Sequence, residues 1–342
     1  MKTVLFLAHP ETNGSLGKVA LEALTAAKSL VEKSGADLVA ALFGGDVQPA
    51  ADTIAGCGAS RFLGVSGDDF AQPRYASDAA AIEALCRSVN PDVVVCGSTS
   101  RINRVLPGVA HRLGGCGELN ATAVDVDDNG VTVARWFYRQ RMRAVLRREK
   151  HPLLVALGSG SYPAWQGDAG SAQIEKVDAE LGDACTRTAV IGQQAPQSGA
   201  QTIRPDADLL FVAGAGWMKK QADGQTHVSE AEAIILDTLK KSQASLGGSK
   251  SVVDISGEGV EVLSFMTHLN QVGQTGAVPR HPKGLATCCH GEEPHVVGWR
   301  FINERRAINL DPNCGWAHGK ADVLYVADAF EVMRKVNALM EE

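Results

Sequence analysis

The segment Val4-Leu-Phe-Leu-Ala8 is apolar at every position, and this constrains the fold more than any other feature of the chain. An unbroken apolar run of strand length needs cover on both faces, which a central strand of a parallel sheet obtains from helices above and below it. Leu16, Val19, Ala20, Leu24, Ala27 and Val31 then recur at helical spacing. The pattern repeats, with strands expected over 37–43, 61–65 and 92–97 and helices over 50–55, 78–89 and 105–113. Alternation of this kind specifies a parallel sheet with helices on both faces.

After Leu119 the pattern changes. Apolar segments at 123–126, 131–137 and 142–146 crowd together around Asp127-Asp-Asn-Gly130, and the Asn-Gly pair is a hairpin signal, so antiparallel strands are added to the first sheet. Residues 153–157 supply one more apolar strand. Residues 191–206 are mostly Gln, Ala, Pro, Ser and Gly, the composition of a linker. A second unit opens at Leu209-Leu-Phe-Val-Ala-Gly-Ala-Gly216. Ser229 and Glu232 have capping-box spacing ahead of a helix that Gly247-Gly248 would close, and residues 251–255, 285–289 and 323–327 read as strands. Phe330, Met333, Val336 and Leu339 mark a terminal amphipathic helix. The expected fold is α/β in two domains: 1–190, with a parallel sheet and added antiparallel strands, and 207–342, doubly wound, with 191–206 between them.

A net charge of -6 and a pI near 5.9 exclude the basic footprint of a nucleic-acid binder. The longest basic run, 139–150, alternates with apolar residues and reads as a strand with one solvated face. No segment has the length and apolarity of a membrane span, and no leader precedes the first strand, so a cytoplasmic location is expected. The eight cysteines lack Cys-x-x-Cys spacing and several lie inside apolar runs, which suits reduced, buried thiols. Cys288, Cys289, His290, His295, Cys314 and His318 could be assembled into a metal set, but neighbouring residues on a strand face opposite ways and no metal is expected. Gly14-Ser-Leu-Gly-Lys18 fails the P-loop spacing. Gly214-Ala-Gly216 lacks the third glycine of a dinucleotide fingerprint.

Most of the chemistry gathers late in the chain. In Val272-Gly-Gln-Thr-Gly276, Gly273 and Gly276 allow close backbone approach while Gln274 and Thr275 offer an amide and a hydroxyl, a set suited to phosphate oxygens or a heterocycle edge. With Gly247-Gly-Ser-Lys-Ser-Val-Val-Asp254 before it and Ile308-Asn-Leu-Asp-Pro312 after it, this succession resembles the alpha subunit of electron transfer flavoproteins, and the resemblance covers nearly the whole chain.

That resemblance implies FAD, with Ser249 at its phosphates, Lys250 in the place of an arginine over the flavin ring, and Gln274 and Thr275 on the flavin and its chain between Gly273 and Gly276. It implies His290 near flavin N5, His295 near the ring carbonyl at C2, and Asn309 and Asp328 on the adenosine. A cation at Lys250 and a donor at His295 would favour a reduced flavin, whose negative charge develops at N1 and the C2 carbonyl. The implied function is electron carriage rather than substrate chemistry: a heterodimer with a beta subunit accepts electrons from a donor dehydrogenase and passes them to an electron transfer flavoprotein-quinone oxidoreductase. The chain departs from the family pattern at Ala215, usually an arginine, at Glu292-Glu-Pro294, and in a longer 257–270 connection. These departures suggest a specialised donor such as a dehydrogenase of methylated amines. The competing expectation is a non-redox nucleotide-binding regulatory or scaffold subunit with the same fold.

Overall fold

A computed structural model of the chain describes residues 1–137, 142–192, 203–204, 207–254, 261–272, 281–287 and 302–341. It divides into two compact units, Met1–Gln194 and Ala195–Glu342.

In the first unit the chain runs β1 (Thr3–Ala8), α1 (Lys18–Ser34), β2 (Asp37–Gly44), α2 (Gln48–Thr53), β3 (Arg61–Ser66), α3 (Asp68–Ala71), α4 (Tyr75–Val89), β4 (Val93–Gly97), α5 (Ser100–Arg112), β5 (Cys116–Asp127), β6 (Gly130–Phe137), β7 (Met142–Arg147), β8 (Leu153–Leu157) and β9 (Ile174–Lys176). One nine-stranded sheet has the order β7-β6-β5-β8-β4-β1-β2-β3-β9. Strands β5 to β9 in that order pair in parallel, while β6 and β7 are antiparallel additions at one edge. The continuous apolar run of β1 is covered as its composition demands. Val4 and Phe6 join a core with α1 on one face, and Leu5 and Leu7 join a core with α4 and α5 on the other. Helix α1 presents Ala20, Ala23, Ala26 and Ala27 to the sheet. It packs so closely that a Cβ on Gly97 would lie 2.9 Å from the backbone of Val19.

The expected hairpin forms, with Asp127 paired to Gly130. Gly130 alone in that turn has a positive φ, of 111°, so the reversal uses Asp128 and Asn129 as its tip rather than the Asn-Gly pair. Helix α5 begins earlier than expected because the hydroxyl of Thr99 accepts the Ile102 N–H and caps it. The basic run, where described, is the edge strand β7, with Met142 and Val145 exposed.

The second unit contains β10 (Leu209–Ala213), α6 (Val228–Ser242), β11 (Ser245–Gly248), α7 (Lys250–Asp254), β12 (Lys283–Thr287), β13 (Glu304–Asn309), α8 (Gly315–Lys320), β14 (Val323–Val326) and α9 (Ala329–Leu339). Its sheet is parallel throughout, in the order β11-β10-β12-β13-β14. Helices α6 and α9 contribute to the core on one face, and Cys314 and Ala317 contribute to the core on the other.

Three local expectations fail here. Gly247 and Gly248 do not close a helix but lie in β11, while residues expected as the next strand form α7. Close packing explains the glycines: a Cβ on Gly247 would come 2.5 Å from Val272 Cγ2, and one on Gly248 would come 2.2 Å from Met266 Cε. The capping box at Ser229 is not made, since His227 occupies the N-cap and Glu232 instead accepts the backbone N–H of Ser264. The expected terminal helix does form, burying Phe330 and Met333, while Leu339 is 67% exposed because Asn337 turns inward to bond Thr238 and the Ile234 carbonyl.

Candidate functional site

A parallel sheet presents its loops and helix N-termini at the carboxyl ends of its strands, and a ligand crevice opens where neighbouring connections leave in opposite directions. In the second unit that point lies between β10 and β12. The backbone there is stitched across strands: Gly214 N–H donates to the Thr287 carbonyl at 2.8 Å, Ser249 N–H to the Ala213 carbonyl at 3.1 Å, and Val272 N–H to the Gly248 carbonyl at 3.0 Å. Trp217, fully buried, donates through Nε1 to Thr287 Oγ1 at 2.8 Å, and Thr287 passes its own proton to the Val212 carbonyl at 2.9 Å. The Trp217 ring rests on Phe330 with centroids 4.6 Å apart. Together these contacts make a rigid floor under the strand ends.

Ser249 directly follows β11, is 1% exposed, and its buried Oγ has no hydrogen-bond partner among the described residues. A hydroxyl taken out of water without a partner is costly, on the order of 1–3 kcal/mol, so its placement asks for a ligand atom. Asn309 ends β13, fully buried, with Oδ1 accepting the Asp311 N–H at 2.9 Å. Asp328 follows β14 and caps α9, its Oδ1 accepting the Glu331 N–H at 3.0 Å. The Asn309 carbonyl accepts the Ala327 N–H at 3.2 Å, which holds these two positions on adjacent strand ends. The structure thus brings Ser249, Asn309 and Asp328 to the same carboxyl edge of one sheet. Lys250 opens α7 beside Ser249. Gly273, Gln274, Thr275, Gly276, His290 and His295 lie outside the described residues, although Val272 and Thr287, from which those segments continue, are both fixed at this edge.

Ala215 sits in a short 3-10 turn over 215–218 and is 1% exposed. The 257–270 connection, where described, sends Leu263, Phe265 and Met266 into the core rather than into solvent. Sequence reasoning missed Thr287 and Trp217. The only signals were a hydroxyl as the last residue of an apolar strand and an indole just past a glycine turn, and neither is specific. Among the described residues no cluster of His, Cys, Asp and Glu could hold a metal ion. Cys57, Cys86, Cys96, Cys116, Cys185 and Cys314 are free thiols, all buried except the half-buried Cys116.

Residues 4–181 match the electron transfer flavoprotein domain. The chain belongs to the electron transfer flavoprotein family. Relatives align along most of its length, and several carry the name electron transfer flavoprotein subunit alpha. An electron transfer flavoprotein subunit alpha of Thermoanaerobacterium thermosaccharolyticum is 25% identical over 341 residues, covering 99% of this chain and 97% of the relative. Protein FixB of Clostridium saccharobutylicum is 26% identical over 324 residues, covering 93% and 88%. A probable mitochondrial electron transfer flavoprotein subunit alpha of Caenorhabditis elegans is 25% identical over 342 residues, covering 99% and 93%. This is an alpha-type electron transfer flavoprotein, an electron carrier rather than a substrate-transforming enzyme. No described helix is long and apolar enough to cross a membrane.

Proposed function

We propose that this electron transfer flavoprotein alpha chain binds FAD along the carboxyl edge of its second sheet, within a domain over 207–342, and pairs with a beta subunit in the cytoplasm. The single observation that carries this reading is Ser249 Oγ, buried beside the ends of β10 and β11 without a partner among the described residues. The chemistry of the set agrees: a hydroxyl donor suits a phosphate oxygen, and the buried amide of Asn309 and the carboxylate of Asp328 suit adenosine. FAD, when bound, supplies the one- and two-electron chemistry. The protein's part would be to hold it, with Ser249 donating to a phosphate oxygen and Gly273, Gln274, Thr275 and Gly276 contributing to its binding. Lys250 and His295 would present positive charge and a proton to the ring carbonyl at C2, and His290 would lie near N5. Asp328 keeps one carboxylate oxygen on α9 and has the other to offer.

Electrons would arrive from a dehydrogenase and leave to a quinone oxidoreductase. The departures at Ala215 and Glu292-Glu-Pro294 favour a donor such as a dehydrogenase of methylated amines. The deciding experiment is an absorption spectrum of the chain co-purified with its beta-type partner, followed by stepwise dithionite reduction. Flavin bands near unit stoichiometry that bleach on reduction are expected. A colourless, folded complex that retains AMP would overturn the proposal in favour of a regulatory subunit. For the donor, faster reduction by an acyl-CoA dehydrogenase than by an amine dehydrogenase would overturn the assignment.

A further inference from the structure

The first sheet has a crevice of its own. Connections from β1 and β4 leave in opposite directions, and at their carboxyl ends lies a cleft of about 500 Å³. That volume falls in the range of small-molecule sites. Its walls are the loop after β1 from His9 to Gly14, the turn Gly44-Gly45-Asp46 after β2, residues 71–73, and the first residues of α5.

Deep in the cleft stands Arg101, 9% exposed. Its guanidinium is held in one plane: Nε and Nη2 donate to the two oxygens of the fully buried Asp78 at 3.0 and 2.6 Å, Nη2 also donates to the Phe70 carbonyl, and the group lies 5.0 Å from the Phe43 ring centroid. Nη1 has no partner among the described residues. Arg104 also reaches Asp78, at 3.3 Å, so two guanidiniums share one carboxylate and one positive charge is left over. The first turn of α5, which lines the same corner, carries no acidic side chain. Its amide dipoles add to that positive field. His9 contributes no charge: Nδ1 faces the Pro10 carbonyl and Nε2 the Thr99 hydroxyl, and burial pushes its pKa down. At the mouth, by contrast, are the exposed carboxylates of Glu11 and Asp46. Acceptors there suit hydroxyl groups, as an acidic residue after the second strand does in nucleotide folds.

We propose that this cleft binds a small phosphorylated polyol up to the size of a nucleoside monophosphate, its phosphate on Arg101 Nη1 and the start of α5 and its hydroxyls on Asp46 and Glu11. A planar guanidinium already oriented by Asp78 and Phe43 loses little freedom on binding a phosphate. The depth ordering, cation inside and carboxylates at the rim, sets the ligand's direction. The inference is independent of the flavin assignment, since it uses no residue of the second unit.

The test is isothermal titration of the full chain with ribose 5-phosphate, AMP and inorganic phosphate, each up to about 1 mM, the weak end of specific binding. Ribose 5-phosphate and AMP should bind more tightly than phosphate. Ser100→Phe, at an exposed position on the cleft, should weaken all three at least about tenfold without changing Tm. Asp46→Ala should weaken the two polyol phosphates and leave phosphate unchanged. No heat with any probe, binding that survives Ser100→Phe, or phosphate binding as tightly as the polyols would each overturn the proposal.

Discussion

Arg101 and Asp78 join α5 to α4 through two parallel hydrogen bonds, 3.0 and 2.6 Å long, with the carboxylate wholly shut off from solvent. They lie 23 residues apart in the chain, and the pair sits directly behind the cleft at the end of β1 and β4. A charge buried this deeply is tolerated because both partners are present. Its removal should therefore be felt through the partner it abandons.

Asp78→Ala is expected to destabilise the chain by about 3–5 kcal/mol, the usual cost of stranding a buried charge. Urea unfolding followed by tryptophan fluorescence measures it. The double variant Asp78→Leu with Arg101→Met should recover much of that loss, and a single-variant cost below about 1 kcal/mol would show that water reaches the site.

Glu22, on α1, is 1% exposed; Oε2 accepts the Gly160 N–H at 2.7 Å and Oε1 has no partner among the described residues. Burial pushes its pKa up against the opposing pull of the Gly160 and Ser161 amides and Lys18. A carboxyl whose folded pKa exceeds its unfolded one takes up a proton on folding. Its contribution to stability is therefore greatest below the unfolded value and declines as pH rises through the folded one. Glu22→Gln keeps the acceptor for Gly160 and cannot ionise. Thermal melts should show the variant gaining on the native chain as pH rises from about 4 to about 8, and a pH-independent difference would refute the assignment.

Ser249→Ala removes a hydroxyl that has no partner among the described residues, so the chain without flavin should be as stable as before or more so. A hydrogen bond to a charged phosphate is worth about 1.5–3 kcal/mol, which predicts flavin dissociation about tenfold to a hundredfold easier. Equilibrium dialysis against FAD, paired with Tm of the apo chain, separates the two effects.

Thr287→Val keeps the shape of the side chain but takes the acceptor from Trp217 Nε1. The fully buried indole N–H would then lack a partner, at a cost of about 1–3 kcal/mol. The loss should appear in urea unfolding together with a shift in tryptophan emission, and an unchanged midpoint would mean the indole finds another acceptor.

Short-range pattern determined a good deal of this molecule. The apolar run of β1 dictated cover on two faces, the β5–β6 reversal was written in Asp127-Asp-Asn-Gly130, and the residues expected to serve a nucleotide stand out as motifs. These features depend on residues a few positions apart, whose side chains alternate or recur with the backbone's own period. Where the motifs gather was not legible. Gly247 and Gly248 look like a helix stop, and only Val272 and Met266, packed against their bare backbone, make them a strand. Glu232 has capping-box spacing, yet Ser264 draws it away. Asp78 and Arg101 give no local sign of their partnership, and nothing near Ser249 in sequence says that its hydroxyl ends buried without a partner among the described residues. The sequence by itself therefore determined the α/β alternation and the kind of chemistry. Tertiary structure decided which motif residues share a strand edge and which described polar groups remain to be satisfied, because burial and pairing are set by atoms that the fold alone brings within reach.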